Sequence, residues 1–196
     1  AETGLSLVSY EDFVASGEPY THDIRDERAA AAMCYTSGTT GDPKGVVYSH
    51  RSVYLHAVAN LTAAGFGIGD RDRLLQVVPM FHANGWGFPY AAWLAGASLI
   101  LPGRHLHPDV LAPLIAAEQP TVSGGVPTVW RGVFDYARAH HIDLTSLRVI
   151  SCAGSAVPEA LLRDYVGLGI EMYQAWGMTE TSPLAAIARP PALDHG

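Results

Sequence analysis

The chain has 196 residues, 48% hydrophobic and 16% charged, and a domain of this length removes roughly 70% of its unfolded surface from water, so a sizeable core is expected. That excludes a disulfide-stapled mini-protein and a disordered segment, and a net charge of −7 argues against a general nucleic-acid or acidic-membrane binder, which needs a basic surface. The two cysteines, Cys34 and Cys152, lack zinc-type spacing and read as buried thiols of a reducing, cytoplasmic compartment, and no apolar run approaches the ~20 residues of a membrane span. The first residue is Ala1 rather than Met, and residues 1–17 are polar and mixed, without a signal-peptide pattern.

Residues 1–28, broken by Gly17 and Pro19, read as an irregular lead-in with a short helix over 10–15. From Ala29 onward short apolar runs alternate with amphipathic stretches. This predicts an α/β fold of largely parallel sheets flanked by helices. Strands are expected at 31–35, 46–48, 74–78, 97–101, 121–123, 147–152 and 170–174. Ser49 caps a helix in which Tyr54, Ala57, Val58 and Leu61 form one apolar stripe. Further helices are expected at about 85–95, 108–118, 128–140 and 158–166, the third carrying Trp130, Val133, Phe134 and Ala137 at helical spacing. Pro108 and Pro158 suit first-turn positions, whereas Pro113 sits badly inside its helix. Residues 103–107 are the expected boundary between a first α/β lobe, 29–103, and a second, 104–196.

The most informative stretch is Tyr35-Thr36-Ser37-Gly38-Thr39-Thr40-Gly41-Asp42-Pro43-Lys44-Gly45. Small residues let backbone amides approach an anion, hydroxyls donate to phosphate oxygens, and Lys44 adds a point charge. A plain turn has the same composition. A Walker A loop is excluded, because Lys44 is followed by Gly45, Val46 and Val47 rather than by a hydroxyl residue opening a helix. All eleven positions fit the phosphate loop of the acyl-adenylate-forming superfamily, which the string resembles. The resemblance implies that Thr36, Ser37, Gly38, Thr39, Thr40 and Lys44 cradle the β- and γ-phosphates of ATP while a carboxylate attacks the α-phosphorus.

A second anchor is Tyr173-Gln174-Ala175-Trp176-Gly177-Met178-Thr179-Glu180-Thr181. A Thr-Glu pair alone is an ordinary helix start. Here it resembles the same superfamily's aromatic-Gly-x-Thr-Glu element, in the form seen among fatty-acyl-CoA ligases. That resemblance assigns Trp176 and Gly177 to adenine, Thr179 to the phosphates and Glu180 to Mg²⁺. Ser151-Cys152-Ala153-Gly154-Ser155-Ala156 follows a strand, as a simple turn also would. The family's corresponding loop holds adenine, which brings in Gly154, Ser155 and Ala156.

The acyl group is expected near Pro79-Met80-Phe81-His82-Ala83-Asn84-Gly85-Trp86-Gly87 and Gly124-Gly125-Val126-Pro127-Thr128. In the family a His at the His82 position lies beside the carboxylate, and its expected role is positioning and electrostatic complementarity. Trp86 matches a gating tryptophan of some long-chain enzymes and is equally suited to a core. Gly125 leaves space for a chain and Val126 an apolar wall. The histidines His105, His107, His140 and His141 bring no third ligand at metal spacing, and no Gly-x-Ser-x-Gly elbow is present.

The resemblance, over about residues 29–183, is to bacterial medium- and long-chain fatty-acyl-CoA synthetases and also to methylmercaptopropionyl-CoA ligases. It implies ATP, Mg²⁺ and CoA as cofactors and a fatty acid or similar carboxylic acid as substrate. The family's ribose-binding Thr-Gly-Asp element and its small C-terminal domain are absent from the sequence. The chain is therefore expected to be part of the large N-terminal domain, inactive alone and homo-oligomeric. A non-catalytic nucleotide-binding or assembly module, and a ligase for another carboxylic acid, stay open as alternatives.

Overall fold

The computed structural model describes residues 8–36 and 41–189. The segment from residue 8 to 29 is exposed throughout and contains α1 (Tyr10–Ala15), capped by the Ser9 hydroxyl. Next come β1 (Ala30–Thr36) and β2 (Lys44–Ser49), then α2 (His50–Leu61), β3 (Arg73–Leu75), α3 (Phe88–Ala95) and β4 (Ser98–Ile100). The chain continues through α4 (Pro108–Glu118), β5 (Val122–Gly125), α5 (Pro127–His140), β6 (Val149–Cys152), α6 (Glu159–Gly167), β7 (Glu171–Gly177) and β8 (Leu184–Ala188).

The expected α/β class is the class observed. Six strands form one sheet in the order β4-β3-β5-β6-β7-β8, parallel except for β8, which pairs antiparallel with β7. β1 and β2 do not open a β-α unit. They form an antiparallel hairpin of their own, with Thr36 opposite Lys44 at its neck. The sheet draws β3 and β4 from residues before 103 and β5 to β8 from residues after it. Residues 103–107 thus join β4 to α4 across one continuous sheet.

Alternating strand residues feed two cores. Leu75, Ile150, Cys152 and Met172 pack beneath α4, α5 and α6, while Leu74, Val122, Val149 and Tyr173 pack beneath α2 and α3. Each fully buried aliphatic side chain contributes roughly 1.5–3 kcal/mol. In α5 the stripe Trp130, Val133, Phe134 and Ala137 is buried as its spacing dictates, and the Tyr165 hydroxyl donates to the Trp130 carbonyl at 2.8 Å. Pro113 stays within α4 because it falls on the exposed side of the helix. Pro158 is the N-cap of α6 rather than its first residue. Cys34 and Cys152 are buried free thiols, and burial pushes the Cys152 thiol up to about 12. No helix among the described residues is long and apolar enough to cross a membrane.

Three local expectations are corrected. β3 ends at Leu75 instead of reaching 78. The helix expected over 85–95 starts only at Phe88, because residues 83–87 take left-handed backbone angles. On α2 the stripe is turned. Tyr54 is 57% exposed, and His56, Ala57 and Asn60 are the buried residues.

His56 explains that rotation. The Leu184 amide of β8 approaches its Nε2 at 3.3 Å, and its Nδ1 lies 3.3 Å from the Asn60 side-chain nitrogen, so the ring is fixed from both sides. Burial lowers its pKa to about 4. The unfolded ring, near 6.5, binds more protons than the folded one over this interval. Stability is therefore complete above pH ~6.5 and declines as pH falls toward 4, by about 3 kcal/mol in all. Urea midpoints measured against pH are expected to show that decline, and His56→Gln to remove most of it; equal slopes in both would contradict the assignment.

Candidate active site

In a parallel sheet the carboxyl ends of the strands leave a crevice that side chains do not fill. Here β5, β6 and β7 end at Gly125, Cys152 and Gly177, and a cavity of about 550 Å³ lies beyond them. That is the size of a small-molecule site. Its walls come from four parts of the chain. The neck of the β1–β2 hairpin supplies Thr36 and Lys44, and the loop after β6 supplies Ala153 and Gly154. The end of β7 with its turn supplies Trp176, Gly177, Thr179 and Glu180, and the segment before α3 supplies His82, Ala83 and Trp86.

Nine of the residues singled out in the sequence thus surround one cavity: Thr36, Lys44, His82, Trp86, Gly154, Trp176, Gly177, Thr179 and Glu180. Ser37, Gly38, Thr39 and Thr40 lie outside the described residues. Ser155 and Ala156 follow on the exposed turn and do not line the cavity. Gly125 and Val126 do not line it either. A Cβ on Gly125 would stand 3.0 Å from Trp130 Nε1, on the core beneath α5, whereas one on Gly124 would meet Phe88, a cavity wall, at 2.4 Å. The pleat therefore turns Gly124 toward Phe88 and Gly125 toward the core beneath α5, and neither lines the cavity. Val126 instead crowds Gly154, where a Cβ would come within 2.9 Å of its Cγ1.

The turn after β7 is held by its own hydroxyl and by a distant one. The Met178 amide donates to Thr181 Oγ1 at 2.8 Å and to the Pro183 carbonyl at 3.1 Å. The Tyr48 hydroxyl donates to the Thr179 carbonyl at 2.6 Å and so ties β2, which carries Lys44, to the turn carrying Glu180. Burial above all, with the Glu180 carboxylate nearby, pushes the Tyr48 phenol up to about 12, so it stays a donor. Neither Tyr48 nor Thr181 stood out in the sequence, where Tyr48 is one more apolar strand residue.

Residues 83–87 have φ of 40, 44, 61, 57 and 73°, a left-handed turn built partly from Ala83, Asn84 and Trp86, which pay roughly 1–2 kcal/mol each for that conformation. It presents half-buried Trp86 beside Phe66, Phe88 and Leu184, the apolar end of the cavity. The polar part of the lining includes Thr36, Lys44, Thr179 and Glu180. Glu180 has no ion-pair partner among the described residues, and no cluster of three or more metal-ligating side chains exists among them. One carboxylate among hydroxyls suits Mg²⁺, which is held by one or two carboxylates together with substrate phosphates.

A cavity lined by both polar and apolar side chains, at the carboxyl edge of a parallel sheet, is a place where such folds bind small molecules. The chain belongs to the AMP-binding enzyme family, whose model matches residues 3–195. It is 43% identical to the 3-methylmercaptopropionyl-CoA ligase of Ruegeria pomeroyi, over 97% of this chain and 35% of that protein. It is 48% identical to a long-chain-fatty-acid–CoA ligase of Thermus thermophilus, over 90% of this chain and 32% of that one. Among solved structures it resembles o-succinylbenzoate coenzyme A synthetase of Bacillus subtilis in complex with ATP and a magnesium ion. The TM-score is 0.77 at 26% identity, over 91% of this chain and 37% of the other. The chain spans about a third of the length of the curated relatives it matches.

Proposed function

We propose that this chain is the nucleotide- and acyl-binding part of an ATP-dependent carboxylate–CoA ligase acting on a fatty acid. A carboxylate oxygen attacks the α-phosphorus of ATP, the bond to the β-phosphate breaks, and pyrophosphate leaves. The thiolate of CoA then attacks the acyl carbonyl and AMP leaves. The observation that supports this reading is that Thr36, Lys44, Thr179 and Glu180 line the same cavity as Trp86, Phe66 and Phe88.

In this reading Lys44 and the hydroxyls of Thr36 and Thr179 bind phosphate, with residues 37–40 completing the cradle. Trp176 offers a flat face to adenine, beside Gly154 and Gly177. His82 faces the carboxylate, which is already a nucleophile at neutral pH, so its role is orientation and charge complementarity. Glu180 would hold Mg²⁺, which would supply neutralisation of phosphate charge. The reaction then rests on positioning and electrostatics, as in other phosphoryl-centred displacements. The buried thiols favour a reducing, cytoplasmic setting. Edge strands β4 and β8, with exposed Met33, Tyr35 and Val47 on the hairpin, favour self-association of the isolated chain.

A second substrate reading, a short thioether acid such as methylmercaptopropionate, is favoured by the 43% identity to the Ruegeria enzyme. Titration calorimetry of the chain with ATP, with and without Mg²⁺, tests the nucleotide site. Mg²⁺-dependent heat that weakens in Glu180→Gln is expected. No heat from either protein would overturn the reading in favour of a scaffold module.

A further inference from the structure

Gln76 lies just beyond β3, buried to all but 5% of its surface, in a position that no cavity residue requires to be polar. Its Nε2 donates to the Val78 carbonyl at 2.6 Å and to the Gly85 carbonyl at 3.2 Å, the centre of the left-handed turn. Its Oε1 is buried without a partner among the described residues, a cost that a leucine or methionine of similar volume would not incur. The amide is therefore explained by what its two donated bonds hold. The fit around it is close. A Cβ on Gly85 would stand 2.5 Å from Gln76 Nε2, and one on Gly87 would stand 2.3 Å from His56 Nδ1. The Asn84 backbone N–H donates to Cys34 Sγ at 3.2 Å, which fastens the start of the turn to β1.

A backbone with three non-glycine residues in left-handed angles persists only where its surroundings over-determine it. Between those three contacts, Gln76 grips the turn at the residue directly before Trp86.

We propose that Gln76 is a positioning residue that locks the left-handed turn over residues 83–87 and thereby sets Trp86 at the apolar end of the cavity, making it a determinant of acyl-substrate recognition. The role in recognition rests on the reading of the cavity as a carboxylate-activating site. The Gln76 side chain has no hydrogen bond to Thr36, Lys44, Thr179 or Glu180, so its effect is expected on the acid and not on ATP.

Two arms test this. In the chain labelled with 5-fluorotryptophan, the four tryptophans give ¹⁹F resonances, with that of Trp86 assigned by Trp86→Phe. Gln76→Met is expected to shift or broaden the Trp86 resonance and leave the others in place. In the full-length ligase carrying this segment, the same variant is expected to raise the KM for the acid about tenfold while the KM for ATP stays within about twofold. Gln76→Glu keeps the shape and can donate only when protonated, so its acid-KM penalty is expected to deepen as pH rises. It also serves if Gln76→Met does not fold. An unmoved Trp86 resonance, a flat pH profile for Gln76→Glu, or a parallel rise in both KM values would overturn the proposal. If the unmutated ligase shows no acid-dependent turnover, the functional reading fails instead, and the Trp86 resonance alone decides the role of Gln76.

Discussion

Glu180→Gln in the full-length ligase is expected to lower acid-dependent pyrophosphate release by about 10²–10³-fold, the scale of losing one charge-stabilising group in a preorganised site. The substitution keeps the side chain's size and leaves the turn intact, since the bonds from Tyr48 to the Thr179 carbonyl and from Met178 to Thr181 do not involve Glu180. Only the negative charge is removed. The loss should be carried by kcat and by the Mg²⁺ concentration needed for half-maximal rate, with little change in the KM for the acid. Steady-state rates across a Mg²⁺ series measure this directly. A variant with the parental Mg²⁺ dependence would remove Glu180 from the metal's coordination.

Gly177→Ala should be among the most damaging single methyls at the described glycines. A Cβ there would stand 2.1 Å from the Pro183 carbonyl oxygen and 2.8 Å from its carbon, both backbone atoms. No side chain can swing away to make room. The turn from Gly177 to Pro183, with Thr179 and Glu180 at its tip, must open or shift. A destabilisation of about 2–3 kcal/mol is expected, with loss of ATP binding. Gly67→Ala provides the contrast. Its φ of +58° is strained for alanine, yet nothing lies within 4 Å of the new methyl, so about 1–2 kcal/mol and no binding defect are expected. Urea unfolding of both variants separates space from conformation. Equal midpoints would contradict the packing argument.

How far the sequence reveals this molecule depends on where the deciding contact lies. The stripe of α5 is legible because Trp130, Val133, Phe134 and Ala137 repeat at helical spacing and all face one core. The stripe of α2 is not. Its buried face is chosen by Gly87 and the Leu184 amide, 31 and 128 residues from His56. β8 escapes notice because Leu184-Ala-Ala-Ile-Ala188 lacks alternation and is a strand only through its pairing with β7. The left-handed turn had local signals in Asn84, Gly85 and Gly87, all tolerant of positive φ, but apolar neighbours suggest an ordinary helix. Gly124 and Gly125 face opposite sides of the sheet, the first toward Phe88 and the second toward Trp130, which the sequence does not distinguish. In a strand, one residue is a change of side. The motif residues converge because Thr36 and Lys44 stand at the hairpin neck, Gly154, Trp176, Gly177, Thr179 and Glu180 stand at or just after the ends of β6 and β7, and the turn before α3 brings in His82 and Trp86.

The most direct test is pyrophosphate release by the full-length ligase carrying this segment, with ATP, Mg²⁺ and CoA, across a panel of carboxylic acids running from short thioether acids to long-chain fatty acids. Release that depends on a fatty acid or a short thioether acid, matched by acyl-CoA formation, is the expected result. Release by no member of the panel, or release without acyl-CoA, would contradict it.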